Sequence, residues 1–464
     1  MSIPRLAVFD RRRSGVLLHP TSLLTPARVA AGQGALGVAA REFIDWLAAG
    51  GFSVWQVLPL GPVGADGSPY WSRADGAISP RLIDWREAPS PDAECDDYAA
   101  FCARHADWLE DYALFAALAD EAAGRPWWLW RATLRDRRSD ALRRARQRLA
   151  PQLERMRREQ WVAARQWQSV CEYAHSRGVR LFGDLPIYVA PDSATVWSQR
   201  RQFQLDEQGL PRAVAGVPPD YFSEDGQLWG NPLYDWQQAQ RDRFAFWRAR
   251  MAQTLAHFDV VRIDHFRGLC AYWAVPRTAR TAREGHWEPA PGEALLAALA
   301  EDFPDLPLIA EDLGVITDDV VALRRRFHLP GMRVLQFAFD GQADNPHLPQ
   351  AWREDTVAYS GTHDNDTTTG WYRTLDDAQR HHVRTALSAS DEQVPERLLQ
   401  VLLESVAPLA MVPMQDLLGL GSEARFNTPG TVVGNWSWCL ADGALQPDLA
   451  VRWLALNRAA RRSD

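Results

Sequence analysis

The sequence contains no lysine, so all 51 basic residues are arginine. This absence excludes a Schiff-base lysine, a pyridoxal phosphate anchor and the lysine of P-loop and kinase phosphate sites. The five cysteines are scattered and form no CxxC pair, and no apolar run reaches membrane-spanning length. The opening residues MSIPRLAVFDRRR lack the apolar core of a signal peptide. We therefore expect a reduced, cytoplasmic protein that does not enter a membrane.

The charge balance is mildly acidic, with a formal net charge of −8 over 464 residues and a pI near 5.8. Such a balance argues against a nucleic-acid partner. The arginine-rich run from Arg131 to Arg158 is interspersed with acids, which is typical of a solvated helix face. Hydrophobic content of 46% and charged content of 24% are those of an ordinary globular protein.

Eight apolar runs rich in branched residues recur along the chain, and each ends in polar or small residues. Helical periodicity separates several of them, over residues 39–49, 243–258, 292–303 and 318–327. Strands alternating with helices predict a parallel sheet, and eight such strands favour a closed (β/α)₈ TIM barrel over an open sheet with a helical second domain. The eight runs are 15–20, 53–60, 179–189, 260–268, 306–313, 331–339, 357–364 and 409–416.

Two long segments interrupt the alternation. We predict a helix-rich insertion over residues 86–178 and a loop insertion over residues 190–236, rich in Pro, Gly, Asp and aromatics. Long loops after barrel strands lie at the carboxyl-terminal mouth, where such barrels keep their active sites. We expect residues 1–464 to form a single catalytic domain without a separate C-terminal β-sandwich.

The run from Val260 to Gly268 changes from apolar to charged. Alternation along a strand places Arg262 and Asp264 on one face, and an arginine beside an aspartate favours the ionised carboxylate. One interpretation is a carboxylate nucleophile, and the alternative is a structural ion pair at a strand end. The residue types also place Asp184, Glu311 and Asp364 at the ends of other strands, around the same mouth.

Two kinds of chemistry suit such a ring of carboxylates. Glycoside chemistry needs a carboxylate nucleophile and a carboxylic acid about 5–5.5 Å apart in retaining enzymes. A binuclear metal site would instead draw on His19, Asp264, His265, Glu311 and His363. His19 stands alone on the first strand, and neither HExxH nor clustered Cys and His supports zinc, so we favour sugar chemistry and expect no metal and no cofactor.

Several long motifs resemble those of the amylomaltases, the 4-α-glucanotransferases related to the α-amylase clan. They keep one order from residue 17 to residue 438, and their length makes chance similarity implausible. The matching stretches include LLHPTS (17–22), WQVLPLGP (55–62), SPY (68–70), GDLPIYV (183–189), VAGVPPDYFS (214–223), QLWGNPLY (227–234), VRIDHFRG (261–268), AEDLGV (310–315), THDND (362–366), GLGSEAR (419–425) and GNW (434–436).

The resemblance implies a barrel enzyme that moves α-1,4-linked glucosyl chains between maltooligosaccharides. It implies that Asp264 is the nucleophile, Glu311 the general acid/base and Asp364 the stabiliser of the transition state. Residues that would bind the glucan by the same resemblance are Tyr70, Asp184, Asp220, Tyr221, Phe222, Trp229, Asn231, Arg262 and His363. A metal-dependent barrel hydrolase and an inactive glucan-binding barrel are the alternatives.

Overall fold

The structure is a computed structural model that describes residues 6–64, 66–89, 95–219, 223–431 and 433–464. These ranges contain two sheets. Their strands are β1 (Arg13–Leu17), β2 (Val54–Gln56), β3 (Arg180–Leu185), β4 (Ala213–Val217), β5 (Gln227–Pro232), β6 (Val260–Ile263), β7 (Ala271–Pro276), β8 (His286–Pro289), β9 (Leu308–Ala310), β10 (Gly331–Val334), β11 (Thr356–Tyr359) and β12 (Leu409–Pro413).

Eight of these strands close into a parallel barrel, in the order β1-β12-β11-β10-β9-β6-β3-β2. Each barrel strand lies within or overlaps one of the eight apolar runs, so the predicted (β/α)₈ barrel is confirmed. The strands read as continuous apolar runs because both of their faces are buried. Beyond β12, the described residues of 414–464 form helices and loops and contain no strand, as expected.

Helices occupy most connections between barrel strands. Four helices were predicted from periodicity, and each lies inside its predicted range. They are α2, α10, α11 and α12, whose bounds are given next. The helices of the described residues are α1 (Pro26–Ala30), α2 (Ala40–Ala49), α3 (Cys95–Arg104), α4 (Ala106–Glu121), α5 (Ala132–Arg135), α6 (Ser139–Arg148), α7 (Ala150–Ser176), α8 (Ala194–Ser198), α9 (Trp236–Arg241), α10 (Ala245–Leu255), α11 (Gly292–Asp302), α12 (Asp318–Arg326), α13 (Thr368–Thr374), α14 (Asp377–Leu387), α15 (Val394–Glu404), α16 (Met414–Leu417) and α17 (Pro447–Ala459).

The barrel interior is filled by side chains from alternate positions of the strands. Val54, Phe182, Val260 and Met411 are among the residues of this inner cluster. At Gly15 on β1 there is no room for a side chain, because a Cβ there would lie 2.6 Å from the Sδ of Met411. The interior is therefore a packed core, and the open space for chemistry lies at the carboxyl ends of the strands.

The described part of residues 86–178 contains α3 to α7 and no strand. The arginines of this segment pair with acids, for example Arg137 with Asp111 and Arg157 with Glu110. These ion pairs fit the interpretation of a solvated, charged helix face.

Residues 190–236 are not entirely loop, because they contain α8, β4 and β5. These two strands join β7 and β8 in a four-stranded antiparallel sheet of order β5-β4-β7-β8. The sequence signal was weak because Gly216 and the pair Pro218-Pro219 interrupt it, and both discourage a strand prediction. The sheet is fixed instead by pairing with distant residues, such as Ala213 with Pro276.

No helix within the described ranges is both long and apolar enough to cross a membrane.

Candidate active site

Four carboxylates predicted from the sequence lie at the carboxyl edge of the barrel. Asp184 is near the end of β3, Asp264 follows β6, Glu311 follows β9, and Asp364 lies on the loop after β11. Because β3, β6 and β9 are neighbours in a parallel barrel, the first three side chains start from adjacent positions on one rim.

Arg262 connects two of these carboxylates. It pairs with Asp184 in the register of β3 and β6, and its Nη1 donates to Oδ2 of Asp184 at 2.6 Å. Its Nη2 donates to Oδ1 of Asp264 at 2.7 Å. Burial opposes the charge on Arg262, but Asp184, Tyr70 and Asp264 raise its pKa above the usual value. The positive charge of Arg262 therefore lies between carboxylate oxygens of Asp184 and Asp264.

The ring of Tyr70 forms one wall of the site. Its hydroxyl donates to Oδ2 of Asp184 at 2.5 Å, and the ring stacks on His363 with centroids 5.2 Å apart and an interplanar angle of 19°. Trp436, to which no role was assigned from the sequence, lies 5.9 Å from the Tyr70 ring and 6.0 Å from that of His363. Only its place in the motif GNW pointed to this residue.

Two backbone amides hold the carboxylate of Glu311. His265 N donates to Oε2 at 2.7 Å, and Leu313 N donates to Oε1 at 2.9 Å. Burial raises the pKa of Glu311 to about 7, the charge of Asp264 adds to the rise, and Arg262 and the two amides oppose it. A carboxyl group with that pKa is able to exchange a proton near neutral pH.

The nucleophile candidate and the acid candidate occupy equivalent places on neighbouring strands. Ile263 on β6 and Ala310 on β9 are register partners, and Asp264 and Glu311 are the residues that follow them. His265, directly after Asp264, adopts a left-handed conformation with φ of 48°. Such a conformation costs a non-glycine residue about 1–2 kcal/mol. Here it accompanies the hydrogen bond that the backbone amide of His265 donates to Glu311.

Asp364 is held from a distant part of the chain. Asn427 Nδ2 donates to Oδ1 of Asp364 at 2.5 Å, and Nη2 of Arg425 donates to its backbone carbonyl at 2.7 Å. Nε2 of His363 lies 3.4 Å from the same Oδ1. Neither Arg425 nor Asn427 was singled out from the sequence, although Arg425 ends the motif GLGSEAR.

Two further predicted glucan-binding residues, Trp229 and Asn231, lie on β5 of the second sheet. Trp229 on β5 places its ring 4.8 Å from that of His265, edge to face. Asn231 is buried, and its Nδ2 donates to the carbonyl of Val189 at 3.0 Å, so its amide connects β5 to the segment after β3. The predictions for Asp220, Tyr221 and Phe222 fall outside the described residues.

The residues considered for a metal site do not form one cluster. Within the described ranges, no group of three or more His, Cys, Asp or Glu side chains is arranged to hold a metal ion. Burial lowers the pKa of His19 to about 3, with a further contribution from His363. Burial also lowers the pKa of His265 to about 4, so both rings are neutral at physiological pH.

A closed parallel barrel with an ion-paired aspartate beside a protonatable glutamate is the arrangement of a glycoside-active (β/α)₈ enzyme. The family model described as 4-alpha-glucanotransferase matches residues 18–94 and 86–444. The chain therefore belongs to the 4-α-glucanotransferase family.

Individual relatives agree with this assignment. The chain is 45% identical to the 4-alpha-glucanotransferase of Thermus thermophilus, covering 97% of this chain and 99% of that protein. It is 42% identical to that of a Synechocystis strain, over 97% of this chain and 96% of the relative. The solved amylomaltase of Streptococcus agalactiae in complex with acarbose is 31% identical, with a TM-score of 0.91 over 98% of this chain and 100% of that one.

Proposed function

We propose that the chain is a retaining 4-α-glucanotransferase that moves α-1,4-linked glucosyl or maltosyl chains between maltooligosaccharides. The observation that supports this most strongly is the pairing of Asp264 with Arg262 at 2.7 Å beside Glu311, whose pKa is raised to about 7. Arg262 thereby compensates a negative charge on Asp264, and Glu311 carries a proton below about pH 7, as the double displacement of retaining enzymes requires.

In the first step, Asp264 attacks the anomeric carbon of the donor while Glu311 gives its proton to the leaving glycosidic oxygen. The bond from the anomeric carbon to that oxygen breaks, and a covalent ester to Asp264 forms. The departing chain leaves with a free 4-hydroxyl, and Glu311 becomes a carboxylate. The two amides from His265 and Leu313 stabilise this charged form of Glu311.

In the second step, Glu311 takes the proton from the 4-hydroxyl of an acceptor chain. The acceptor oxygen attacks the anomeric carbon, the ester to Asp264 breaks, and both catalytic carboxyl groups return to their starting states. Two displacements at one carbon retain its configuration. Asp364 accepts hydroxyl hydrogen bonds from the sugar and favours the distorted ring that approaches an oxocarbenium ion.

The walls of the site suit a sugar ring. Tyr70 offers an aromatic face, and Asp184 and His363 offer polar atoms to the same glucosyl unit. Oδ1 of Asp184 is buried without a partner among the described residues, so a sugar hydroxyl would satisfy it. We place Trp229 and Asn231 along the groove. Asp220, Tyr221 and Phe222 stay predicted glucan-binding residues, and aromatic cover of the site would exclude water and favour transfer over hydrolysis.

Incubation of the purified protein with maltotriose tests the proposal. We expect glucose together with oligosaccharides longer than maltotriose, because an acceptor hydroxyl replaces water. Glucose and maltose alone would indicate hydrolysis, and unchanged maltotriose would indicate an inactive glucan-binding barrel.

Asp264→Ala and Glu311→Gln should both abolish turnover while circular dichroism remains that of the wild type. EDTA should leave the products unchanged, whereas it would inactivate a metal-dependent hydrolase.

We also propose a cytoplasmic location. Four cysteines in the described residues, Cys102, Cys171, Cys270 and Cys439, are free thiols. Free thiols are typical of proteins in a reducing compartment.

A further inference from the structure

The position of Asp364 is not determined by a strand. This residue lies on the loop that follows β11, and its side chain is 44% exposed. Asp184, Asp264 and Glu311, by contrast, lie within or directly after barrel strands. A catalytic carboxylate must be held to within about 0.5 Å of its working position, and a loop needs additional contacts to achieve this.

Those contacts come from the segment after α16, and they form a closed ring. Nη2 of Arg425 donates to the backbone carbonyl of Asp364 at 2.7 Å, and Nε of Arg425 donates to the backbone carbonyl of Asn427 at 2.8 Å. The amide of Asn427 then reaches back to Oδ1 of Asp364. Both the main chain and the side chain of Asp364 are thereby tied to one short segment.

This segment is itself restrained. Asn427 is only 8% exposed, and the backbone amide of the next residue, Thr428, donates to Oδ1 of Asn435 at 2.9 Å. Trp436 N donates to the carbonyl of Phe426 at 2.7 Å. The amide of Asn427 is therefore presented to Asp364 from a well-supported position, with little conformational freedom left to lose.

The contacts also distinguish the two oxygens of Asp364. Oδ1 accepts from Asn427 and lies 3.4 Å from Nε2 of His363. In the described part of the chain, no hydrogen bond to Oδ2 is formed. An ionised carboxylate only accepts, so the bond to Asn427 fixes the rotation of the carboxylate and leaves Oδ2 for a donor from the substrate.

We propose that Asn427 is a positioning residue for the transfer reaction. It fixes the carboxylate of Asp364 in the orientation that binds the distorted sugar, and Arg425 holds both residues in register. This inference rests on the role of Asp364 under the proposed function. The amide of Asn427 donates to Asp364, so its effect on the transition state is exerted through that carboxylate.

Two substitutions of Asn427 test the proposal. Asn427→Ala removes the amide donor and should lower kcat about 10- to 100-fold, because small misplacements of a catalytic group have effects of that size, while KM for maltotriose changes less than about threefold. Asn427→Asp keeps the shape but places a second carboxylate against Asp364. Its kcat should fall about 100-fold near neutral pH and recover, as a ratio to the wild type, when the pH falls to about 5.

The recovery of kcat in Asn427→Asp at low pH distinguishes a positioning role from a general loss of structure. At low pH the introduced carboxyl group is protonated and again donates a hydrogen bond to Asp364, whereas a structural defect would not follow this titration. The other ionisable groups around Asp364, namely His363, Arg425 and Tyr70, are the same in both proteins, so the ratio reports the effect of the introduced carboxyl group. A kcat within twofold of the wild type for Asn427→Ala, or a ratio that does not vary with pH for Asn427→Asp, would overturn the proposal. If Asn427→Ala does not fold, the isosteric variant alone decides.

Two further variants complete the experiment. Asn457 is also buried, and its Nδ2 donates to the carbonyl of Gly50 at 2.8 Å, so Asn457→Ala is a matched control. It should lower the unfolding temperature but keep kcat. Asp364→Asn separates the proposed catalytic role of Asp364 from the positioning role of Asn427. If it stays active, the assignment of Asp364 fails, whereas an inactive Asp364→Asn with a fully active Asn427→Ala contradicts only the inference.

Discussion

Glu311 shows how opposing local forces set the protonation of a single side chain. Burial and the charge of Asp264 favour the protonated form, while Arg262 and two backbone amides favour the carboxylate. The first group of effects dominates, and the pKa rises to about 7. The same residue can then act as acid in one step and as base in the next, because neither form is strongly disfavoured.

This pKa predicts the alkaline limb of the pH–rate profile. Departure of a sugar oxygen requires protonated Glu311, so kcat/KM for maltotriose should fall about tenfold per unit as the pH rises above about 7. An α-maltosyl fluoride donor needs no protonation of its leaving group, and its fluoride release should show no such limb. An equal loss of rate above about pH 7 for both donors would mean that a group other than Glu311 titrates.

The same shift has a consequence for stability. The folded pKa of Glu311 lies above its usual value of 4.5, so the protonated form stabilises the fold below that value. This contribution is lost as the pH rises through about 7. Glu311→Gln should therefore unfold at a higher temperature than the wild type at about pH 8, with a smaller difference at about pH 5. No difference at either pH would contradict the burial argument.

Local sequence rules were sufficient for some site residues and not for others. Arg262 and Asp264 were expected to share a face because they lie two positions apart on a strand, and both contact each other in the structure. Asn427 and Trp436 gave no such signal. They reach Asp364 and Tyr70 only because the segment after α16 folds back over the mouth of the barrel.

At the scale of elements, a buried arginine that follows α17 helps to hold this helix against the barrel. Arg462, 1% exposed, follows this helix. Its Nη1 donates to the carbonyl of Arg13 at 2.7 Å, and its Nη2 donates to the carbonyls of Ala407 at 2.9 Å and Ser405 at 3.1 Å. These carbonyls lie at or just before the amino ends of β1 and β12, opposite the active site.

Replacement of this arginine should therefore separate stability from activity. Arg462→Met leaves buried carbonyls without donors, and we expect the free energy of unfolding to fall by on the order of 4 kcal/mol. Denaturant unfolding would measure this loss, while maltotriose turnover at low temperature should be unchanged. The neighbouring Arg461 is exposed, so Arg461→Met is the control. Equal stability of the two variants would rule out the fastening role.

The elements also differ in how well the sequence predicted them. Barrel strands were found because burial on both faces produces continuous apolar runs. β4, β5, β7 and β8 belong to a smaller sheet, and each of them contains residues that are not fully buried. Their pairing joins residues far apart in the chain, such as Gly216 and Trp273. Pairing of that kind leaves little trace in a local pattern.

At the scale of the whole molecule, the segment 86–178 shares its core with the barrel. Leu109 and Phe115 of α4 belong to the same buried cluster as Val261 of β6 and Leu308 of β9. A second cluster joins Trp167 of α7 to Trp55 of β2. An independent domain would have a core of its own. These shared clusters support the expectation that residues 1–464 unfold as one domain.

Heat unfolding tests this expectation. We expect one calorimetric transition that coincides with the loss of near-ultraviolet circular dichroism, because no part keeps a separate core. Phe115→Ala, at a side chain 1% exposed, should lower the midpoint of that single transition by about 3–5 °C, since such truncations cost about 3–5 kcal/mol. Leu129→Ala, at a position 62% exposed in the same segment, should have almost no effect. A separate transition that moves alone in Phe115→Ala would instead identify the helical segment as its own folding unit, and the barrel would then have to be stable without it.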